Sequence, residues 1–270
     1  MPHPFFDLPR PISIAHRGCA GEAPENTIAA FELALAQRAS VLESDLHLSR
    51  DGVPVLIHDA VVDRVTSGSG KVAELSLAEL QRLDAGCRFP RGGDASDAQQ
   101  RSRFRIPSLD EAFETFPGIR FNLEFKLSSP RLIDATLERI AAHAREAITL
   151  LTAADADAMD ALRERLGALS TPVAQGASER DVRAFLRSAA EGSAPPAGPM
   201  ALQLPASANA APLITRELVA YAHASGVQIH AWTINDPAQM HELLDLGVDG
   251  IITDFPGRLA SVIAERRSVR

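Results

Sequence analysis

A closed (β/α)8 TIM barrel, of the α/β class, with a small insertion after the second strand, is the fold this sequence predicts. Short apolar runs alternate with longer segments of helical period almost from end to end, eight of each. The 270 residues match the roughly 250 that one such barrel needs. A composition of 46% hydrophobic and 23% charged residues is able to bury a substantial core. The whole chain, 1–270, therefore reads as one barrel domain.

The predicted strands are 12–15, 41–46, 121–125, 147–151, 171–174, 200–204, 227–232 and 249–252. Helical spacing covers 26–38, 108–116, 130–145, 155–166, 178–188, 215–225 and 236–246, with a last helix near 257–267. Ser108 and Glu111 have the spacing of a capping box, which satisfies orphaned amides at a helix start. Gly167, Gly226 and Gly247 follow periodic runs, where a residue without a Cβ takes a left-handed stop. Eight strands each followed by a helix favour a closed parallel barrel over an open doubly wound sheet.

One region breaks the alternation. Residues 53–58 read as an extra strand, Ser76 and Glu79 open a short helix, and the polar run 91–103 is expected to be mobile. The stretch 60–105 is accordingly an insertion at the barrel mouth, where βα loops carry function. Residues 189–199 form a low-complexity connector.

The net charge of -8 argues against nucleic acid or an anionic membrane as a partner. No uncharged apolar run approaches the ~20 residues that span a bilayer, and the first residues show no secretory signal. Cys19 and Cys87, 68 positions apart, suggest reduced thiols rather than a disulfide framework. A soluble cytoplasmic protein is the expectation. Lysine occurs only at positions 71 and 126, so a lysine inside a motif stands out.

The chemistry lies where charge meets strand ends. His16 and Arg17 follow the first strand directly. Glu43 and Asp45 lie two apart near the end of the second, on one face by strand periodicity. Glu124 and Lys126 repeat that spacing on the third, and His58 and Asp59 end the extra strand. Any one of these carboxylates alone reads as a surface salt-bridge partner. Three at adjacent strand ends would repel unless neutralised, and a hard divalent cation, Mg2+ or Ca2+, suits an all-oxygen site. Arg17 and Lys126 beside it suit a phosphate. His16 and His58 offer groups that move protons near neutral pH. His47 shares the face of Glu43 and Asp45 and is the weaker candidate, while His3, His143, His223 and His241 read as structural.

Taken together, these residues resemble the glycerophosphodiester phosphodiesterases. The resemblance rests on His16-Arg17-Gly18, Pro24-Glu25-Asn26-Thr27, Glu43-x-Asp45, His58-Asp59 and Arg64-x-Thr66-x-Gly68-x-Gly70. It continues through Ile106-Pro107-Ser108-Leu109, Asn122-x-Glu124-x-Lys126, Trp232-Thr233-Ile234-Asn235 and the stretch from Gly247 to Asp254. These nine ordered matches cover roughly residues 12–262.

The resemblance implies a TIM barrel that hydrolyses small glycerophosphodiesters to glycerol 3-phosphate and an alcohol. Glu43, Asp45 and Glu124 would bind the divalent metal, and Arg17 and Lys126 would hold phosphate oxygens. His16 and His58 would be general base and acid, in an order left open. Glu25 would sit close to the metal, and Trp232 would wall the pocket against glycerol or head group. A lyase stopping at a cyclic phosphate and a non-catalytic phosphate-ester binder are the alternatives. Leu151-Thr152-Ala153-Ala154 and Gln203-Leu204-Pro205 depart from the family pattern, at positions that bear on head-group preference.

Overall fold

The computed structural model describes residues 3–89, 104–208 and 211–268, so the polar run 91–103 lies outside the described residues. Eight parallel strands form the wall: β1 (Ile12–Ala15), β2 (Val41–Leu48), β4 (Arg120–Phe125), β5 (Thr149–Thr152), β6 (Ala174–Gln175), β7 (Ala201–Pro205), β10 (Gln228–Trp232) and β11 (Gly250–Thr253). Their order around the wall is β6-β5-β4-β2-β1-β11-β10-β7. The seam between β6 and β7 is crossed by Met200 N–H donating to Gln175 O at 3.0 Å. The extra strand β3 (Pro54–Leu56) pairs antiparallel with β2, as Leu46 meets Leu56. A short ribbon of β8 (Ser207–Ala208) and β9 (Ala211–Pro212) follows β7.

The helices are α1 (Ile28–Ala36), α2 (Leu77–Leu80), α3 (Leu109–Thr115), α4 (Pro130–Ala142), α5 (Ala156–Leu166), α6 (Glu179–Glu191), α7 (Arg216–Ala224), α8 (Pro237–Leu246) and α9 (Pro256–Ser268). Their starts are chemically specified. Thr27, Asp155, Thr215 and Asp236 each accept from amides of the first turn of α1, α5, α7 and α8. Ser76 with Glu79 forms a full capping box. Ser108 forms only half of one, because the Glu111 carboxylate is taken by Arg105 and Gln81. Gly226 and Gly247 are left-handed as expected, with φ of 73° and 94°. Gly167 is not: it stays right-handed at φ -65°, so α5 ends without that turn.

Strand periodicity divides the molecule. Leu42, Leu46, Leu123 and Leu151 face outward into a core shared with Phe31, Phe113 and Ile133 of the helices. A second such layer joins Leu202, Leu204, Ile229 and Ile251 to Val219 and Met240. Ile12, Ile14, Val41, Leu150, Ala201 and Ile252 instead pack inside the barrel with Phe5 and Phe6 of an N-terminal 3-10 turn. Burying one such side chain contributes roughly 1.5–3 kcal/mol. Arg120 fixes that turn by donating to the carbonyls of Pro4, Phe5 and Asp7. The barrel interior is therefore apolar at one end. The same strand faces turn charged at the other, as Ile12-Ile14 continues to His16 and Val41 to Glu43 and Asp45.

His230 sits among these interior residues. Its Nε2–H donates to Gln228 Oε1 at 3.0 Å, and burial pulls the imidazole down to about 4 against the opposing pull of Asp249. An unfolded histidine takes up its proton near 6.5, so stability present above that pH is lost as pH falls toward 4. Melting curves from pH 7 to 4 are expected to fall more steeply for the native chain than for His230→Gln. The difference is at most about 3 kcal/mol. Parallel curves would refute the assignment.

Candidate active site

His16 follows β1, with its N–H donating to Thr253 O at 2.9 Å, which sets its side chain beside Asp254 at the end of β11. Nδ1 of His16 lies 2.7 Å from Asp254 Oδ1. An ionised carboxylate only accepts, so the proton is on Nδ1 and Nε2 is left free for chemistry. Asn235 holds Asp254 from two sides: its Nδ2 donates to Oδ2 at 2.6 Å, and its Oδ1 accepts from the Asp254 amide at 2.9 Å. Burial lowers the His16 pKa, but Asp254 and Glu43 outweigh it and leave the imidazole above its ordinary value.

His58 is positioned from the extra strand. Ile57 N–H donates to Asp45 O at 3.0 Å, and His47 Nε2–H donates to the His58 carbonyl at 3.0 Å. His47 thus braces the backbone that carries His58, and burial lowers its own pKa. Nδ1 of His58 lies 2.6 Å from Asp59 Oδ1. Forked bonds from Arg64, opposed by partial burial, bring the Asp59 carboxyl down to about 2. Both imidazoles therefore have the same form, with Nδ1 on a carboxylate.

Between these elements, Glu43, Asp45 and Glu124 each offer one oxygen, all within 4.8 Å of one another. Parallel register explains the gathering, since Asp45 pairs with Glu124 across β2 and β4 and Glu43 is two residues below Asp45 on the same face. Burial and then Asp45 push the Glu43 carboxyl up to about 7. Asp45 goes the other way: burial raises it, but Lys126 and Arg17 outweigh that. Asp45 Oδ1 lies 3.0 Å from Lys126 Nζ yet accepts no well-directed hydrogen bond. Three converging carboxylates, one of them raised by burial beside a like charge, are a donor set that fits a hard divalent cation.

Arg17 and Lys126 border this cluster. Lys126 Nζ bridges Asp45 at 3.0 Å and Glu124 at 2.8 Å, and the two charges raise its pKa despite burial. Arg17 has left-handed backbone, φ 53°, a conformation costing roughly 1–3 kcal/mol in a residue with a Cβ. The bend aims its N–H at Glu43 Oε2, 2.9 Å away, while the guanidinium reaches Glu25 at 3.0 Å and Asp45 at 3.3 Å. Gly18, φ 83°, completes the turn where a Cβ would strike Ala30 at 2.7 Å.

Glu25 is held by Arg17 and Arg64 and stands outside the three-carboxylate group. Trp232 ends β10 with 44% of its surface exposed, unlike the buried Gln228 and His230 below it on the same face. Register sets Pro205 beside Trp232 and Thr152 beside Glu124, so the two departures from the family pattern lie at the level of the site.

The sequence pointed to no role for Asp254 or Asn235, and for Asn26 only to a cap of the first helix shared with Thr27, which Thr27 alone provides. Asn26, buried and left-handed at φ 56°, donates to Asp45 Oδ2 at 3.0 Å and accepts from Ser44. All three lie inside the quoted motifs. Their positions gave the available signal, but their partners are 18 to 238 residues away in the chain.

A barrel whose mouth gathers three acids, two cations and two carboxylate-backed imidazoles is built for phosphate-ester chemistry. Residues 16–258 match the model of the glycerophosphoryl diester phosphodiesterase family, and the chain belongs to that family. It is 30% identical to a glycerophosphodiester phosphodiesterase of Caldanaerobacter subterraneus, over 93% of this chain and 97% of the relative. The corresponding Bacillus subtilis enzyme is 28% identical, over 92% and 84%. The structure of an Oleispira antarctica phosphodiesterase in complex with its product sn-glycerol-3-phosphate superposes with a TM-score of 0.73. It is 30% identical, with 94% of this chain and 97% of that one covered. Among the described residues, no helix is long and apolar enough to cross a membrane.

Proposed function

We propose that this chain, acting as a single barrel domain, hydrolyses glycerophosphodiesters to glycerol 3-phosphate and an alcohol. The observation that carries the reading is the pairing of each imidazole with its own carboxylate beside a three-acid cluster. His16 lies within electrostatic reach of Glu43, and His58 of Asp45. A pure binder has no need of two such proton carriers. The Oleispira relative, solved with sn-glycerol-3-phosphate, supports the same product here.

Glu43, Asp45 and Glu124 would hold a divalent cation, Mg2+ or Ca2+, which supplies positive charge toward the phosphate oxygens. Arg17 and Lys126 meet the charge that builds on the non-bridging oxygens, in a preorganised site. One imidazole takes a proton on Nε2 from the attacking water, or from the glycerol 2-hydroxyl to form a cyclic phosphate that water then opens, and the other gives its Nε2 proton to the departing alkoxide. With Nδ1 locked on Asp254 or Asp59, each ring presents that one nitrogen in a fixed orientation. Trp232 covers the CH groups of glycerol or head group, and its face attracts a choline cation when one is present. We place the enzyme in the cytoplasm, where free thiols such as Cys19 and Cys87 stay reduced.

The test is release of glycerol 3-phosphate across a panel of head groups, with phosphorus NMR of the products. Turnover is expected, with Trp232→Ala raising KM about 10-fold or more while kcat changes less, in keeping with ~1–2 kcal/mol of contact. No turnover would leave the binding-only reading standing. A cyclic phosphate that accumulates unopened would mark the lyase.

A further inference from the structure

The motif Arg64-x-Thr66-x-Gly68-x-Gly70 has no part in the reaction as set out above. Most of it builds the loop itself. Thr66 Oγ1–H donates to Val62 O at 2.8 Å and accepts from Gly68 N–H at 3.1 Å, and Gly70 N–H donates to Asp63 at 2.9 Å. A Cβ on Gly68 would meet Leu83 at 2.7 Å, so the loop closes tightly over the insertion's own small core of Val55, Val62, Val72 and Leu80. Arg64 alone takes no part in this and reaches out of the loop.

Its guanidinium lies between two carboxylates and forks onto both. Nε donates to Asp59 Oδ2 at 2.6 Å and Nη2 to Asp59 Oδ1 at 3.2 Å. Nη1 donates to Glu25 Oε2 at 2.8 Å and Nη2 to Glu25 Oε1 at 2.7 Å. Asp59 in turn holds His58 at 2.6 Å, and Glu25 holds Arg17 at 3.0 Å. One planar cation on the insertion thus ties the end of the extra strand, which carries His58, to the loop after β1, which carries Arg17.

We propose that Arg64 is a positioning residue for catalysis: it clamps Asp59 and Glu25 together and so fixes the His58 imidazole relative to the phosphate-binding Arg17. The forked geometry explains why the position is arginine, since a lysine ammonium offers one point charge and cannot satisfy two carboxylates in plane. Without the clamp, Asp59 and Glu25 repel, and the Asp59–His58 pair is free to swing. A misplacement of about 1 Å costs on the order of 10²-fold in rate. Arg64 is itself 46% exposed, so solvent screens its pairs, but their forked and networked geometry lets them add to stability. Rate and folding are therefore read separately, with kinetics measured well below the melting temperature.

The inference rests on the proposed hydrolysis, and its test is kinetic. Arg64→Ala is expected to lower kcat about 10- to 100-fold. KM should stay within about threefold, because Arg17 keeps its contact with Asp45. The melting temperature should fall by only a few degrees, from lost ion pairing, and leave the protein folded at the assay temperature. Arg64→Lys should recover only part of the loss. Combining Arg64→Ala with Asp59→Asn should cost clearly less than the product of the two separate losses, as two changes that share one imidazole do. Wild-type kcat in Arg64→Ala, full recovery in Arg64→Lys, or losses that multiply in the double variant would overturn the clamp. Absence of turnover in the unsubstituted enzyme would instead refute the hydrolysis on which it rests.

Discussion

His16→Ala and His58→Ala should each lower kcat about 10²–10⁴-fold, the usual contribution of one general acid or base. The two should not multiply fully in the double variant, because the base and the acid work as one unit in the same displacement at phosphorus. Substrate binding should survive, since Arg17 and Lys126 hold the phosphate without help from either ring. The backing carboxylates give a finer test. Asp254→Asn leaves an amide that can donate to Nδ1 and so favours the wrong tautomer, with the proton on Nε2. It should lose most of what His16→Ala loses, while its circular dichroism spectrum is unchanged. A His58→Ala enzyme as fast as the native one would remove the proton-transfer mechanism and return the chain to the class of phosphate-ester binders.

Chelation should reduce turnover by roughly 10³-fold or more, as several kcal/mol of charge stabilisation at phosphorus is withdrawn. Added Mg2+ or Ca2+ should restore it. The stability readout has a definite sign. A cation at 100 times its Kd stabilises the folded protein by about 2.7 kcal/mol, which for a chain of this size is a few degrees in Tm. Glu43→Gln separates charge from fold. Its amide oxygen can still accept from the Arg17 N–H, but the like charge facing Asp45 is gone. The chelated variant should therefore melt no lower than the chelated native protein, while its activity and its response to added cation are lost. Full activity in the presence of chelator would contradict the assignment of Glu43, Asp45 and Glu124.

The barrel was legible because its signals are local. Apolar runs of strand length, the capping pair Ser76 and Glu79 at a helix start, and the left-handed stops at Gly226 and Gly247 depend on neighbours within a few residues. Gly167 shows the limit, for nothing in its immediate sequence distinguishes a right-handed helix end from a left-handed one. The half-formed capping box at Ser108 has the same cause. Glu111 was free to bond back on its own helix until Arg105 and Gln81 were folded beside it.

The candidate site divides the same way. Alternation placed Glu43 with Asp45 and Glu124 with Lys126 on common faces, and strand-end position singled out His16 and His58. Asp59 stands next to His58 in the chain, but what holds the other groups was not readable. Asp254 serves His16 across 238 residues, and Arg64 reaches Glu25 across 39. The 3-10 turn of Phe5 and Phe6 that fills one end of the barrel is likewise invisible in a stretch punctuated by Pro4, Pro9 and Pro11.

The amino-acid order alone determined which side chains sit at strand ends and on which face, because a β-strand repeats every two residues whatever surrounds it. Only closure of the barrel decided how those side chains are charged and aimed. Parallel register brings Glu124 of β4 beside Asp45 of β2 and the end of β11, with Asp254, beside His16, and burial next to a like charge raises the Glu43 carboxyl pKa in a way that sequence separation does not reveal.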